Sequence, residues 1–317
     1  PVLAITMGDI NGVGPEVLAK ALANPAVWAC CRPVVMGDAS VLEEARRFAP
    51  NCPPARALGH IDEAAFGGDS VPVLASGAGG VPCRPGTLDA EAGRCAVEWI
   101  QAGVGLALAG YAQGLVTCPI NKEGIRRAGF SFSGHTDMIA ELTGSPEYWM
   151  CLFAGAMRVV HITAHLSLAR AIEQVRKGRV AAAIRVAHEA LVRLGLERGR
   201  IAVAGLNPHA GEAGAFGMEE MNEIHPAVAQ CRRAGIECSG PYPPDTVFRR
   251  MSRGDFDLVV AMYHDQGHIP LKLSGFKLDL KTNRYSSVSG VNCTIGLPII
   301  RTSVDHGTAY GKAGEGR

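Results

Sequence analysis

The chain has 317 residues, of which 47% are hydrophobic and 19% charged, a balance that suits a folded enzyme and argues against disorder. The length suits about two domains and is enough to bury a core without disulfide or metal staples. With 31 Lys and Arg against 30 Asp and Glu, the net charge is +1. That excludes a global electrostatic case for nucleic acid or an anionic membrane, but not a local basic pocket.

Short apolar runs alternate with helical patterns. Residues 2–7 read as a buried strand, and 15–23 as a helix with Pro15 in its first turn. A second strand is expected at 34–37 and a helix at 39–48. Residues 50–86 are Pro- and Gly-rich and read mostly as loop, with a short strand at 71–74. Residues 89–108 have helical spacing, 114–117 form a strand running into Cys118-Pro119, and 122–128 and 136–142 read as helices. In the second half, 158–163, 201–206 and 258–262 are strands rich in Val, Ile and Ala. Between them, 180–194 and 219–233 are amphipathic helices. Such alternation predicts an α/β fold with a mixed or parallel sheet covered on both faces. Residues 273–317 are dominated by Gly, Ser, Thr and Asn and read as a functional loop region.

No apolar run reaches the roughly 18 residues of a membrane span. No secretory signal opens the chain, and its ends, Pro1 and a Gly-rich stretch at Arg317, suit a trimmed sequence. None of the ten cysteines has C-x-x-C spacing. They read as reduced, buried side chains of a cytoplasmic protein.

The turn after the first strand, Met7-Gly8-Asp9-Ile10-Asn11-Gly12-Val13-Gly14-Pro15, invites a dinucleotide reading, and Asp38 ends the second strand where a ribose-binding acid would lie. Val17 stands where the third Gly belongs, and Pro15 removes an N–H that would face a pyrophosphate. A tight strand-to-helix turn whose glycines shape a wall is the better reading.

Three histidines share one context, each just after a strand: His165, His209 and His264. In α/β sheets ligands bind at the carboxyl ends of strands, so three imidazoles arriving there would suit a divalent ion. A hydrogen-bonded loop residue is the ordinary reading of any one of them, and the triple occurrence makes the metal reading its equal. His161 lies inside a strand and reads as core packing, and His268 as a bystander. His135 and Thr136 open a helix and would bind phosphate or carboxylate, or the helix is simply capped there by Ser133 or Thr136. Lys272 and Arg301, near a metal, would suit a doubly anionic substrate.

Seven stretches then match one family in its own order: MGDINGVGPEV from Met7, TCPINKEGIRRAG from Thr117, FSGHTD from Phe132, LNPHAGE from Leu206, GPYPPDTVF from Gly240, YHDQGHIPLK from Tyr263 and GLPIIRTSVDHGTA from Gly296. The chain resembles the PdxA family of NAD-dependent 4-hydroxythreonine-4-phosphate dehydrogenases, which includes a branch acting on D-threonate and D-erythronate 4-phosphates. The resemblance implies a two-domain isocitrate/isopropylmalate dehydrogenase-like fold with a mixed sheet and an interdomain cleft. It places a first domain at 1–133 plus 290–317 and a second at 134–289, the latter carrying metal ligands and homodimer contacts.

By matching position, the resemblance makes His165, His209 and His264 the metal ligands. His135, Thr136, Lys272, Asn292 and Arg301 would hold the substrate's phosphate and carboxylate. Thr302, Ser303, Asp305 and His306 would meet NAD or NADP. Asp265, Asp245 and Lys272 are the candidate bases, unranked. Zn, Co, Ni or Fe suit an imidazole-rich site, and Mg or Mn remain open with water ligands. The implied reaction is oxidation at C3 and decarboxylation of 4-hydroxythreonine 4-phosphate to 3-amino-2-oxopropyl phosphate, a step of pyridoxine biosynthesis. The alternative is D-threonate or D-erythronate 4-phosphate giving dihydroxyacetone phosphate. Two departures bear on that choice. Residues 277–289 are an insertion against the commonest family pattern, and the HDQGHIPLK form is associated with the D-threonate branch.

Overall fold

A computed structural model describes residues 1–75, 80–279, 284–288 and 290–316. In chain order the elements are β1 (Val2–Thr6), α1 (Gly14–Leu22), α2 (Pro25–Cys30), β2 (Arg32–Met36), α3 (Ala39–Ala45), β3 (Ala55–Leu58), β4 (Val71–Leu74), α4 (Ala90–Leu108), β5 (Gly114–Thr117), α5 (Lys122–Arg127) and α6 (His135–Leu142). There follow β6 (Trp149–Ala154), β7 (Met157–His161), α7 (Leu168–Glu173), α8 (Lys177–Arg193), β8 (Ile201–Ala204), α9 (His225–Arg233), β9 (Cys238–Tyr242) and α10 (Pro244–Ser252). The last are β10 (Leu258–Ala261), α11 (His264–Gly275), β11 (Phe276–Asp279), β12 (Arg284–Val288), β13 (Val291–Ile295) and β14 (Arg301–Ser303). They form two compact units, Pro1–Pro146 with Leu297–Arg317, and Glu147–Gly296.

In the first unit the strands run in the order β3-β4-β2-β1-β5-β14, every neighbouring pair parallel. Its helices start where short polar side chains satisfy the first free N–H groups. Asn24, Asp38, Asp89 and Asn121 accept from backbone N–H groups two or three residues on. Asp38 is thus a helix cap that also accepts from Ser40 Oγ and Gly80 N. Burial works against its charge, but these hydrogen bonds hold the carboxyl below its usual range. Gly93 of α4 lies so close to α5 that a Cβ there would sit 2.4 Å from the Gly124 backbone. Ile5, Met36, Leu42, Val73 and Trp99 fill the core.

In the second unit the order is β13-β6-β7-β10-β8-β9. The β13–β6 and β6–β7 pairs are antiparallel, and the rest parallel. Side chains alternate across it as a period of two requires. Val160, Val203 and Val260 pack on one face with Ile184 and Leu191 of α8. Val159, Ala202 and Val259 pack on the other with Phe248 and Met251 of α10. Both faces are covered, which explains the unbroken apolar runs.

The loop reading of 273–317 is corrected. This stretch holds the end of α11, the antiparallel hairpin β11–β12, β13 and β14. The β13 sequence, VNCTI, buries Thr294 and Ile295, and pairing along β6 outweighs its polar composition. Part of the 277–289 insertion is the hairpin; residues 280–283 and 289 lie outside the described residues. All ten cysteines are free, with Cys30 the exposed one. No described helix is long and apolar enough to cross a membrane.

Candidate active site

In the first unit, β1, β5 and β14 are parallel neighbours, so the segments after them leave the same edge of the sheet. The turn after β1 needs its glycines for backbone contact. Gly8 has φ +75°, and a Cβ there would lie 2.3 Å from the Pro119 carbonyl oxygen. At Gly12 it would lie 2.9 Å from the Thr308 carbonyl oxygen, and at Gly14 2.4 Å from that of Met7. The chain itself closes the turn. Val13 N donates to Thr308 O, Tyr310 Oη donates to Asp9 Oδ2 at 2.7 Å, and Glu16 accepts from Gly314 N and Gly316 N. Burial raises the Asp9 carboxyl above its ordinary range, against the hydrogen bonds from Tyr310 and Asn11 that favour its charge.

The segments after β5 and at β14 also bring cationic side chains to one buried imidazole. Arg301, the first residue of β14, is only 2% exposed and donates to Thr117 Oγ1 at 2.7 Å. His135 is the first residue of α6, whose N-cap is Gly134, with no side-chain cap from Ser133 or Thr136. The His135 Nε2 is buried and meets no hydrogen-bond partner. Burial, then the charges of Arg301 and Lys122, pull this imidazole down to about 3, against a hydrogen bond with the Cys118 backbone. It is therefore neutral at physiological pH with its proton on the nitrogen that meets Cys118, and an anion brought against Nε2 would draw a second proton onto the ring and make Nε2 a donor. Thr136 is half-buried in the next position. Lys122 escaped the sequence reading; its signal was its place after the Cys118-Pro119 turn of the TCPINK stretch.

In the second unit, β7, β10 and β8 are parallel neighbours, and their carboxyl ends lead to His165, His264 and His209. The His165 and His264 rings lie 5.9 Å apart beside a cavity of about 310 Å³ that also touches Thr163, Tyr263 and Asp265. Asp265 Oδ1 is 2.6 Å from His264 Nδ1, an arrangement that orients the ring and leaves Nε2 for a ligand. His268 stacks on His264 at 3.6 Å and 13°, with its Nδ1 3.0 Å from the His264 carbonyl oxygen. His161, 2% exposed, tilts against His268 at 4.7 Å. Burial followed by the neighbouring histidines holds its imidazole down at about 3, against a contact with the Met150 backbone. His161 is thus core as the sequence suggests, whereas His268 is more than a bystander.

His209 is exposed and packs near Phe216 at 6.1 Å. It rides on five consecutive residues with left-handed backbone, His209 to Ala213 (φ 43° to 83°). L-residues pay for that conformation. Glu220, 1% exposed, offsets the cost by accepting from Leu206 N, Asn207 N and Asn207 Nδ2. Among the described residues no three His, Cys, Asp or Glu gather closely enough to hold a metal ion. The structure therefore brings together two of the three expected imidazoles, and their donor chemistry suits a divalent metal.

Of the remaining residues, Asp245 lies exposed in the first turn of α10 and Lys272 exposed on α11. Asn292 stands on β13 opposite Leu152, its buried Oδ1 without a hydrogen bond. Thr302, Ser303 and Asp305 are half-buried and His306 exposed at the end of β14, a placement open to a dinucleotide.

Over nearly its whole length the chain is similar to known proteins. The profile of the family described as pyridoxal phosphate biosynthetic protein PdxA matches residues 29–317. The D-threonate 4-phosphate dehydrogenase of Cupriavidus necator is 46% identical, covering 100% of this chain and 92% of that protein. The 4-hydroxythreonine-4-phosphate dehydrogenase of Desulfosudis oleivorans is 43% identical over 100% and 91%. The crystal structure of a 4-hydroxythreonine-4-phosphate dehydrogenase from Burkholderia phymatum superposes with a TM-score of 0.87 at 44% identity, covering 100% and 93%.

Proposed function

The chain belongs to the PdxA family, with its isocitrate dehydrogenase-like α/β fold, and on that premise we propose that it is a dehydrogenase of a phosphorylated four-carbon hydroxy acid, NAD- and metal-dependent, that oxidises C3 and releases CO₂. The observation that carries the reading is the cluster of Arg301, His135 and Lys122, which suits an anion on a chain whose net charge is only +1.

In this reading Arg301, His135, Thr136, Lys272 and Asn292 hold the phosphate and carboxylate and fix C3. Asp265, Asp245 or Lys272 takes the C3 hydroxyl proton. His165 and His264, with His209, would hold the divalent ion, and Thr302, Ser303, Asp305 and His306 would contact the dinucleotide, NAD or NADP. When bound, the ion supplies Lewis-acid polarisation of the substrate oxygen, and the dinucleotide accepts the hydride. Oxidation at C3 makes a β-keto acid, whose carboxylate leaves as CO₂. A homodimer is part of the same reading.

Two substrates share the phosphate, the carboxylate and the C3 hydroxyl and differ at C2, a hydroxyl against an amine. The HDQGHIPLK stretch of α11, the hairpin β11–β12 that follows it and the 46% identical relative favour D-threonate 4-phosphate over 4-hydroxythreonine 4-phosphate. The test is kcat/KM for NADH formation on each, with and without a chelator. Higher kcat/KM on D-threonate 4-phosphate, abolished by chelation, is the expected result.

A further inference from the structure

Lys122 opens α5, and its charge reaches His135 and helps keep that imidazole neutral. A Cβ on Gly134 would lie 3.6 Å from Lys122 Cε, so its stem runs along the entrance of α6. Its neighbours Arg126 and Arg127 are both paired with Glu123. Lys122, by contrast, forms no ion pair among the described residues. An unpaired ammonium that shares one buried imidazole with a second cation, Arg301, favours an anion joining them. The buried, unpartnered His135 Nε2 points to the same missing group.

We propose that Lys122 is a substrate-binding residue that, with His135 and Arg301, holds the phosphate of the substrate. A phosphate monoester carries close to two charges and three acceptor oxygens, which three donors of this kind match better than they match a carboxylate. The proposal rests on the phosphorylated-acid reading above.

The test uses the full chain with Lys122→Ala, Lys122→Met and Lys122→Arg, and Arg126→Ala as a control for surface charge. The Met variant keeps the aliphatic stem against Gly134 should the Ala variant fold poorly. Loss of one charge-assisted hydrogen bond predicts KM for D-threonate 4-phosphate rising about 10- to 100-fold in the Ala and Met variants, with kcat changed by less than about threefold. Calorimetry with inorganic phosphate, which needs no turnover, gives a Kd weakened by about tenfold or more. Lys122→Arg recovers most of both losses, and Arg126→Ala matches the parent. An unchanged phosphate Kd in the Ala and Met variants overturns the proposal, whether or not KM rises. So does a fall in kcat at constant KM. A parent protein that turns over no phosphorylated acid, yet loses phosphate binding on substitution at Lys122, sinks the dehydrogenase reading and leaves the anion pocket standing.

Discussion

The two units hold their candidate site residues under opposite conditions. In the first, the candidate anion-binding groups sit on packed backbone: Arg301 is 2% exposed and bonded to Thr117, and the neighbouring turn is closed by glycines that leave no room for a Cβ and by the 308–316 segment. In the second, His165 and His209 are exposed, and His209 is carried on left-handed backbone. The proposed anion site rests on close packing. The histidine edge is instead held by a stack, a single carboxylate contact at His264 and the Glu220 clamp. Function and stability should therefore separate differently in the two units.

The sharpest way to break that contrast is at the two histidines beside the cavity. His264→Ala and His165→Ala should lower kcat for NADH formation by about 10²–10³-fold. Their urea midpoints should stay near that of the parent, because little packed surface is lost. Retained turnover in either variant would remove the metal role from that residue.

In the first unit the order reverses, and substitutions at the turn should act on stability. Gly8→Ala introduces a Cβ 2.3 Å from the Pro119 oxygen at φ +75°. It should cost about 1–3 kcal/mol from backbone strain alone, read as a lower urea midpoint at constant m. A midpoint within error of the parent would contradict the close approach.

The most gradual effect, spread over several pH units, is on pH dependence. His135 is held at about 3 in the folded chain, against about 6.5 when unfolded. The unfolded state therefore binds the proton first, and stability falls as pH drops from about 6.5 towards 3, by at most about 1.4 kcal/mol per pH unit for this one group. His135→Gln should show a shallower loss over the same window. Equal slopes would mean that the imidazole is not held neutral by its surroundings.

Much of this was legible in the sequence because local and tertiary signals agreed. Residues 71–74 and 114–117 are strands as their apolar runs predict, and the helix expected over 89–108 is there with Asp89 as its cap. Asp38 reads as a cap once Ser40 is seen two residues on, which supports rejecting the dinucleotide motif. The strand β13 and the helix α11 were not legible. The polar VNCTI gains its strand character from β6, and Pro270 inside α11 argues locally against a helix. Lys122 looked like any surface charge, since its meaning lies in residues 13 and 179 positions away, His135 and Arg301. Glu220 was equally hidden, because its hydrogen-bond partners lie across a loop.

The central claim, a dehydrogenase of a phosphorylated hydroxy acid, is tested most directly by NADH formation from D-threonate 4-phosphate and from unphosphorylated D-threonate, by the purified chain with NAD and a divalent metal. The account predicts turnover of the phosphorylated acid and a kcat/KM at least about 10²-fold lower without the phosphate, since its charge-assisted contacts are lost. Equal rates on the two acids, or no NADH from the phosphorylated one or from 4-hydroxythreonine 4-phosphate, would contradict it.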